Sequence, residues 1–189
     1  MNEDFLLMIP GPILVHSRVF RAMSMKIMPH RGEEFNKLFM EQSERMKKIF
    51  KTKNDVFIIA GSGTAAMDAA IANVVQPGDK VLCITSGKFG ERFRDIVKAY
   101  KGAVIELKYE WGMPINTNDI KEALEKDPSI KAVTMVHNET STGVRNPVAE
   151  IGKIVNNTKA LLVVDTISSL GGDNIEVDNW GVDMCASGS

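Results

Sequence analysis

Asp165 is the residue whose position most strongly suggests chemistry. It directly follows the apolar run at residues 160–164, and a carboxylate there is costly to desolvate unless a cation, a metal or hydrogen-bond donors face it. A turn cap by Thr166, Ser168 or nearby backbone amides would also satisfy it. A strand followed by Asp holds magnesium in nucleoside triphosphatases, but the loop at residues 61–64 lacks the spacing and the lysine of a P-loop.

The glycine-rich sequence Gly-Ser-Gly-Thr at residues 61–64 is a second candidate site. It lies between a predicted buried strand and an alanine-rich predicted helix. Free N–H groups and the dipole at the helix start would attract an anion such as phosphate, and Ser62 and Thr64 add hydroxyl groups. The same residues fit the dinucleotide pattern G-x-G-x-x-A, although the next strand ends at residues 85–86 with no acid placed for a ribose. A plain tight turn would suit them too.

Two further loops that follow predicted strands carry unusual residues. Residues 137–143, His-Asn-Glu-Thr-Ser-Thr-Gly, offer hydroxyl and amide groups after a predicted strand. These groups could bind a phenolic or carboxylate oxygen, although such clusters are often ordinary turns. His137 alone is more typical of a structural histidine than of a base. Phe89, within Gly-Lys-Phe-Gly at residues 87–90, could stack on a planar ring or fill the core.

Alternating helices and strands are predicted to position these candidate sites at the ends of strands. The spacing of the apolar residues switches repeatedly between that of a helix and that of a strand. Helices are predicted at residues 33–50, 64–75, 91–100, 118–127 and 148–156, and strands at 56–60, 80–85, 103–109, 131–137 and 160–164. This alternation predicts an α/β fold with a mostly parallel sheet sandwiched by helices. Ligands bind such sheets beyond the carboxyl ends of the strands. Residues 1–20, stiffened by Pro10 and Pro12, are predicted to form an extended arm.

The composition is typical of one globular domain of balanced charge. The 189 residues carry 23 Lys and Arg against 24 Asp and Glu, and 44% are hydrophobic. Interspersed charges leave no basic stripe for nucleic acid, and neither a membrane-spanning run nor a signal peptide is evident. Cys83 and Cys185 lie far apart in apolar runs. They predict buried thiols in a reducing compartment, so a cytoplasmic protein is expected.

Taken together, the motifs resemble those of the class V pyridoxal-phosphate aminotransferases, in the branch of the alanine–glyoxylate and serine–pyruvate enzymes. The resemblance covers nearly the whole chain and depends on the order and spacing of the matching segments. These are residues 9–12, 30–31, 61–64, 77–79, 87–92, 137–143, 164–165, 168–172 and 187–189. It implies that residues 21–189 are the N-terminal part of the large, pyridoxal-phosphate (PLP) binding domain of a fold-type I enzyme.

The resemblance assigns cofactor contacts to several residues by position. Ser62, Gly63 and Thr64 would form the phosphate cradle. Phe89 would stack on the pyridine face, at a position where this branch often has tryptophan, and Ile167 would pack against the other face. Because sulfur-transfer relatives tend to place a histidine where Phe89 stands, the aromatic ring favours aminotransferases over that branch.

The remaining assignments concern the reacting side of the cofactor. Asp165 would pair with the pyridine nitrogen and keep it protonated, which makes the ring an electron sink. Thr140 would bind on the side of the phenolic oxygen and lie near the substrate. The segment around Gly11 would also lie near the substrate and reach toward a second subunit, so a homodimer is implied.

The chain ends in a strand-like run and a small turn at residues 180–189, and the resemblance puts the Schiff-base lysine shortly after Ser189. The small C-terminal domain would follow. The implied reaction is ping-pong amino transfer between alanine, serine or aspartate and glyoxylate, pyruvate or 2-oxoglutarate, and the 189-residue chain alone is expected to show no turnover. A lyase or sulfur-transfer enzyme of the same fold, and a non-catalytic nucleotide- or phosphate-binding module, stay open as alternatives.

Overall fold

Helices and strands alternate along most of the chain, as the periodicity predicts. A computed structural model describes residues 6–188. Its helices are α1 (Ser17–Met23), α2 (Glu33–Phe50), α3 (Gly63–Val74), α4 (Lys88–Ala99), α5 (Thr117–Lys126) and α6 (Val148–Val155). Its strands are β1 (Lys80–Thr85), β2 (Ala103–Lys108), β3 (Ala132–Val136), β4 (Asn138–Glu139), β5 (Val144–Arg145), β6 (Leu161–Asp165) and β7 (Met184–Ala186).

A parallel five-stranded sheet in the order β2-β1-β3-β6-β7 forms the centre of the fold. Each adjacent pair is parallel, with Val136 opposite Asp165 and Asp165 opposite Ala186. The carboxyl ends of β1, β3 and β6 therefore meet at one edge of the sheet. The short β4 and β5 form an antiparallel hairpin directly after β3. The predicted fold class is confirmed.

Both faces of the sheet are buried, because successive side chains of a strand point to opposite sides. In β1, Leu82 and Ile84 pack on one side, and Val81 and Cys83 pack on the other. The first cluster includes Ile120 of α5, Ile151 of α6 and Phe50 of α2, and the second includes Met67 and Ile71 of α3 with Phe93 and Val97 of α4. Among the described residues, no helix is both long and apolar enough to cross a bilayer.

The predicted strand at residues 56–60 is wrong. This segment has no regular secondary structure, and Phe57, Ile58 and Ile59 are 80%, 46% and 55% exposed. A strand needs a neighbouring strand to bind its N–H and C=O groups, and none of the described strands lies beside this run. Its apolar, β-branched composition suits a strand, but composition cannot supply the partner.

The predicted arm at residues 1–20 differs from the structure at its end, where residues 17–20 belong to α1. The Nδ1 atom of His16 accepts a hydrogen bond from the N–H of Arg18 and caps this helix. The preceding residues 6–16 form no helix or strand. Residues 1–5 lie outside the described residues, and the division of the chain into an arm and a domain stays a prediction.

The two cysteines are expected to resist thiol reagents in the folded chain. Burial raises the pKa of Cys83 in β1 and of Cys185 in β7 to about 11, so the reactive thiolate is scarce at neutral pH. We expect labelling by a thiol-specific disulfide reagent to be at least about 100-fold slower in the folded chain than in urea. Labelling of Cys83 at the rate of free cysteine would contradict the buried position in β1.

Candidate functional site

Asp165 lies at the carboxyl end of β6 and is 2% exposed. Its Oδ1 accepts a hydrogen bond from the N–H of Ile167 at 2.7 Å, and residues 6–188 supply no other donor to this carboxylate. Burial raises the pKa of Asp165 to about 6, although the Ile167 N–H opposes this shift. One carboxylate oxygen thus remains available to a ligand that carries a donor or a positive charge. The turn cap by a nearby backbone amide, one of the alternatives for Asp165, is thus present and is made by Ile167.

The start of α3 offers backbone donors, as the glycine-rich motif predicts. Ser62 is the N-cap residue, and its Oγ accepts a hydrogen bond from the N–H of Ala65 at 3.2 Å. The N–H groups of Gly63 and Thr64 bind no acceptor among the described residues, so they are free to bind an anion at the positive end of the helix. The helix begins at Gly63, one residue earlier than predicted.

Gly63 lets three segments converge at the start of α3. A Cβ atom at Gly63 would clash with Cδ1 of Ile167 and lie 2.8 Å from its Cγ1. A Cβ atom at Gly188, which follows β7, would lie 3.3 Å from Cα of Gly63. The structure therefore brings the predicted phosphate cradle and the predicted ring contact Ile167 together.

Arg92 joins two of the predicted site residues, and the sequence analysis missed it. Its Nη1 donates a hydrogen bond to Oγ1 of Thr64 at 2.8 Å, and its guanidinium carbon lies 4.8 Å from the ring centre of Phe89. The spacing of the two residues could have identified it, because Arg92 follows Phe89 by three residues on α4 and both therefore lie on one helix face. Phe89 and the cradle are thus neighbours, and a cation lies between them.

The predicted loop at residues 137–143 lies against the loop that follows β6. Thr140 donates a hydrogen bond from its Oγ1 to Oγ of Ser168 at 2.8 Å, and Ser168 donates to the carbonyl oxygen of Asn138 at 2.9 Å. His137 is buried, its Nδ1 lies 3.0 Å from Oγ of Ser169, and its ring packs against Trp180. Burial lowers the pKa of His137, so the structure supports the structural histidine that the sequence favours.

Gly11 is not brought to this site. A Cβ atom at Gly11 would have no heavy atom within 4 Å, and the residues around it are exposed. Its role toward the substrate stays a prediction. Contacts link five of the predicted residues in two groups: Ile167 joins Asp165 to Gly63, while Arg92 joins Thr64 to Phe89. Thr140 instead bonds to Ser168. These contacts lie at the carboxyl edge of the parallel sheet, which is where ligands bind in folds of this kind.

Comparison with known proteins agrees with this fold. The family model described as aminotransferase class-V matches residues 16–189. The chain therefore belongs to the class V aminotransferase family. It is 54% identical to an uncharacterized aminotransferase of Methanocaldococcus jannaschii, over 97% of this chain and 48% of that protein. It is also 38% identical to a protein of Synechococcus named as the small subunit of a soluble hydrogenase, over 100% of this chain and 50% of that protein.

Solved structures with the same architecture include a glyoxylate-dependent enzyme. The crystal structure of ureidoglycine–glyoxylate aminotransferase from Bacillus subtilis superposes with a TM-score of 0.92 at 35% identity, covering 95% of this chain and 46% of that one. The chain spans about half the length of the curated relatives it matches.

Proposed function

We propose that this chain is the cofactor-binding part of a PLP-dependent aminotransferase that moves an amino group between a small amino acid and a 2-oxo acid. The observation that carries the proposal is the buried Asp165, which has one carboxylate oxygen unshared and a pKa raised to about 6. A buried acid in this state fits a ligand that brings its own positive charge, such as a protonated pyridine nitrogen. The unused N–H groups of Gly63 and Thr64 fit its phosphate.

Each residue of the site has a distinct task toward the cofactor. When bound, PLP supplies an aldehyde for the amino group and a ring that accepts electrons. Asp165 would hold a proton on the ring nitrogen through its charge. Phe89 and Ile167 would cover the two faces of the ring and exclude water, and Thr140 would bind on the side of the phenolic oxygen. The amine that forms the Schiff base would come from the lysine that the resemblance puts after Ser189.

The substrates are proposed from the relatives. Ureidoglycine and glyoxylate appear in the name of the Bacillus subtilis structure, and alanine, serine or aspartate as donor with glyoxylate, pyruvate or 2-oxoglutarate as acceptor fit the same reaction. We infer a cytoplasmic homodimer. A partner is supported by apolar residues that are exposed along residues 6–27, among them Met8, Phe20 and Ile27 at 82%, 57% and 93%, since single chains rarely expose so much apolar surface.

Ligand retention and turnover together test the proposed function. The 189-residue chain is expected to bind PLP and to retain neither NAD nor ATP, and to show no turnover by itself. The longest polypeptide that the reading frame encodes is expected to interconvert one of the donor and acceptor pairs. Retention of NAD instead of PLP by the chain would overturn the proposal and favour a nucleotide-binding module. PLP-dependent elimination or sulfur transfer without amino transfer would favour a lyase or sulfur-transfer enzyme.

Replacement of Arg92 by glutamine is expected to weaken PLP binding by about ten-fold, because the cradle loses its nearby cation and Thr64 loses a charge-assisted hydrogen bond. The PLP affinity of the variant should also depend less on salt concentration than that of the unaltered chain. Titration of PLP at low and high salt measures both effects. Arg21→Gln, an exposed arginine of α1, is the matched control and should bind as the unaltered chain does. Equal affinity of Arg92→Gln and the control would contradict the role of Arg92.

A further inference from the structure

Glu139 is a fully buried carboxylate that has no cationic partner among the described residues. It is 0% exposed and lies on β4. Its oxygens accept hydrogen bonds from the N–H of Phe89 at 3.2 Å, from the N–H of Gly90 at 3.0 Å and from Oγ of Ser141 at 2.7 Å. Burial of a carboxylate costs free energy that hydrogen-bond donors offset. Here backbone amides and a hydroxyl are those donors.

The two backbone donors belong to the first turn of α4, which is remote from Glu139 in sequence. The N–H groups at a helix start have no partner within the helix, and the helix dipole makes that end positive. Glu139 binds the amides of Phe89 and Gly90, and Oγ of Ser141 accepts a hydrogen bond from the N–H of Lys88 at 2.9 Å. The loop after β3 thus caps three consecutive amides of α4.

Gly87, the N-cap residue of α4, makes room for this carboxylate. A Cβ atom at Gly87 would lie 2.6 Å from Cδ of Glu139 and 2.6 Å from Oγ of Ser141. Any larger residue would push the hairpin away from the helix. The glycine therefore permits the close approach by which Glu139 fixes the backbone of Phe89.

We propose that Glu139 is a positioning residue, which fixes the first turn of α4 so that the Phe89 ring is held in place against the cofactor. This inference rests on the proposed function, because it assumes that Phe89 meets PLP. Because Glu139 is fully buried, it would act through Phe89 and not by contact with a ligand. The negative charge of Glu139 further contributes to the raised pKa of Asp165.

A double-mutant cycle on PLP affinity tests this inference in the 189-residue chain. Glu139→Gln keeps the shape of the side chain but replaces one accepting carboxylate oxygen with an amide NH2 group, which cannot accept a hydrogen bond from a backbone N–H. We expect PLP affinity to fall by about ten-fold, since charge-assisted hydrogen bonds are lost. In a Phe89→Ala background the same substitution should change the affinity by less than about two-fold, because the ring that Glu139 positions is gone. Glu122→Gln, on the exposed face of α5, is the matched control.

The outcomes separate this inference from the proposed function. An equal loss from Glu139→Gln in both backgrounds would mean a general structural role and would overturn the inference. If the unaltered chain binds PLP and Glu139→Gln binds it equally well, only the inference fails. If the unaltered chain binds no PLP, the proposed function fails and the inference falls with it. Should Glu139→Gln not fold, Ser141→Ala replaces it in the cycle, with an expected loss of about three-fold that again requires Phe89.

Discussion

Asp165→Asn is expected to reduce amino-transfer turnover of the longest encoded polypeptide by about 10²-fold to 10³-fold while the fold is retained. Asparagine can still accept the hydrogen bond from the Ile167 N–H that now reaches Oδ1 at 2.7 Å. It carries no charge, so the proton on a ring nitrogen beside it is no longer stabilised. Turnover and PLP affinity measure the effect, and circular dichroism measures the fold. Unchanged turnover would remove Asp165 from this role.

The same variant is expected to change how the stability of the cofactor-free chain depends on pH. The pKa of Asp165 is raised from 3.8 to about 6 in the folded state. Between these values the folded chain keeps a proton that the unfolded chain has released, so the free energy of unfolding falls as the pH rises through this window. Asp165→Asn removes this decrease and should be more stable at neutral pH, by up to about 3 kcal/mol.

Asp183→Asn is the matched control for both measurements. The Asp183 carboxylate also accepts one backbone hydrogen bond, from the N–H of Leu162 at 2.8 Å, but Asp183 is exposed. We expect Asp183→Asn to leave turnover and the free energy of unfolding nearly unchanged, because the side chain is exposed and asparagine can still accept the hydrogen bond from Leu162. Urea unfolding of the three proteins at several pH values makes the comparison. An identical pH dependence for Asp165→Asn and the unaltered chain would contradict the burial of this carboxylate.

Gly63→Ala is expected to weaken PLP binding by at least about 100-fold and to lower the free energy of unfolding by about 1–3 kcal/mol. The added Cβ would clash with Cδ1 of Ile167. Either the start of α3 or the loop after β6 must move, and both carry predicted cofactor contacts. PLP titration and urea unfolding measure the two effects.

A control and a rescue make this prediction specific. A Cβ atom at Gly172 would lie 3.7 Å from the carbonyl oxygen of Ser169, which is an ordinary contact distance. Gly172→Ala should therefore leave PLP binding and stability nearly unchanged. In an Ile167→Ala background the clash is absent, and Gly63→Ala should then cost less than about three-fold in affinity. Normal PLP binding by Gly63→Ala in the unaltered background would show that the cofactor does not depend on the packing of Ile167 against the start of α3.

The start of helix α4 differs between the prediction from sequence and the structure. The periodicity predicts a helix at residues 91–100, and the structure has Lys88–Ala99. The body of the helix is visible in the sequence because its apolar face repeats at helical spacing. Its first turn is not visible, because the groups that cap it belong to Glu139 and Ser141, about 50 positions away.

The segment at residues 56–60 gives the opposite lesson. Its residue types predict a buried strand, yet it is exposed and irregular, because pairing depends on a neighbour that residue types do not specify. By contrast, the predicted strand at residues 80–85 has the bounds of β1. That strand is central in the sheet, where β2 and β3 bind it on both sides.

The sequence by itself determined the alternation of helices and strands, the parallel sheet and the junctions where Asp165 and Gly63 lie. These follow from periodicity and from glycine or charge at a strand end, which are local properties of the chain. Only the tertiary structure decided that Arg92 lies between Thr64 and Phe89, that Glu139 caps α4, and that Asp165 keeps one oxygen unshared. The contact of Arg92 with Thr64 and that of Glu139 with α4 join residues far apart in the chain. Whether a donor reaches the second oxygen of Asp165 likewise depends on how the packed elements meet.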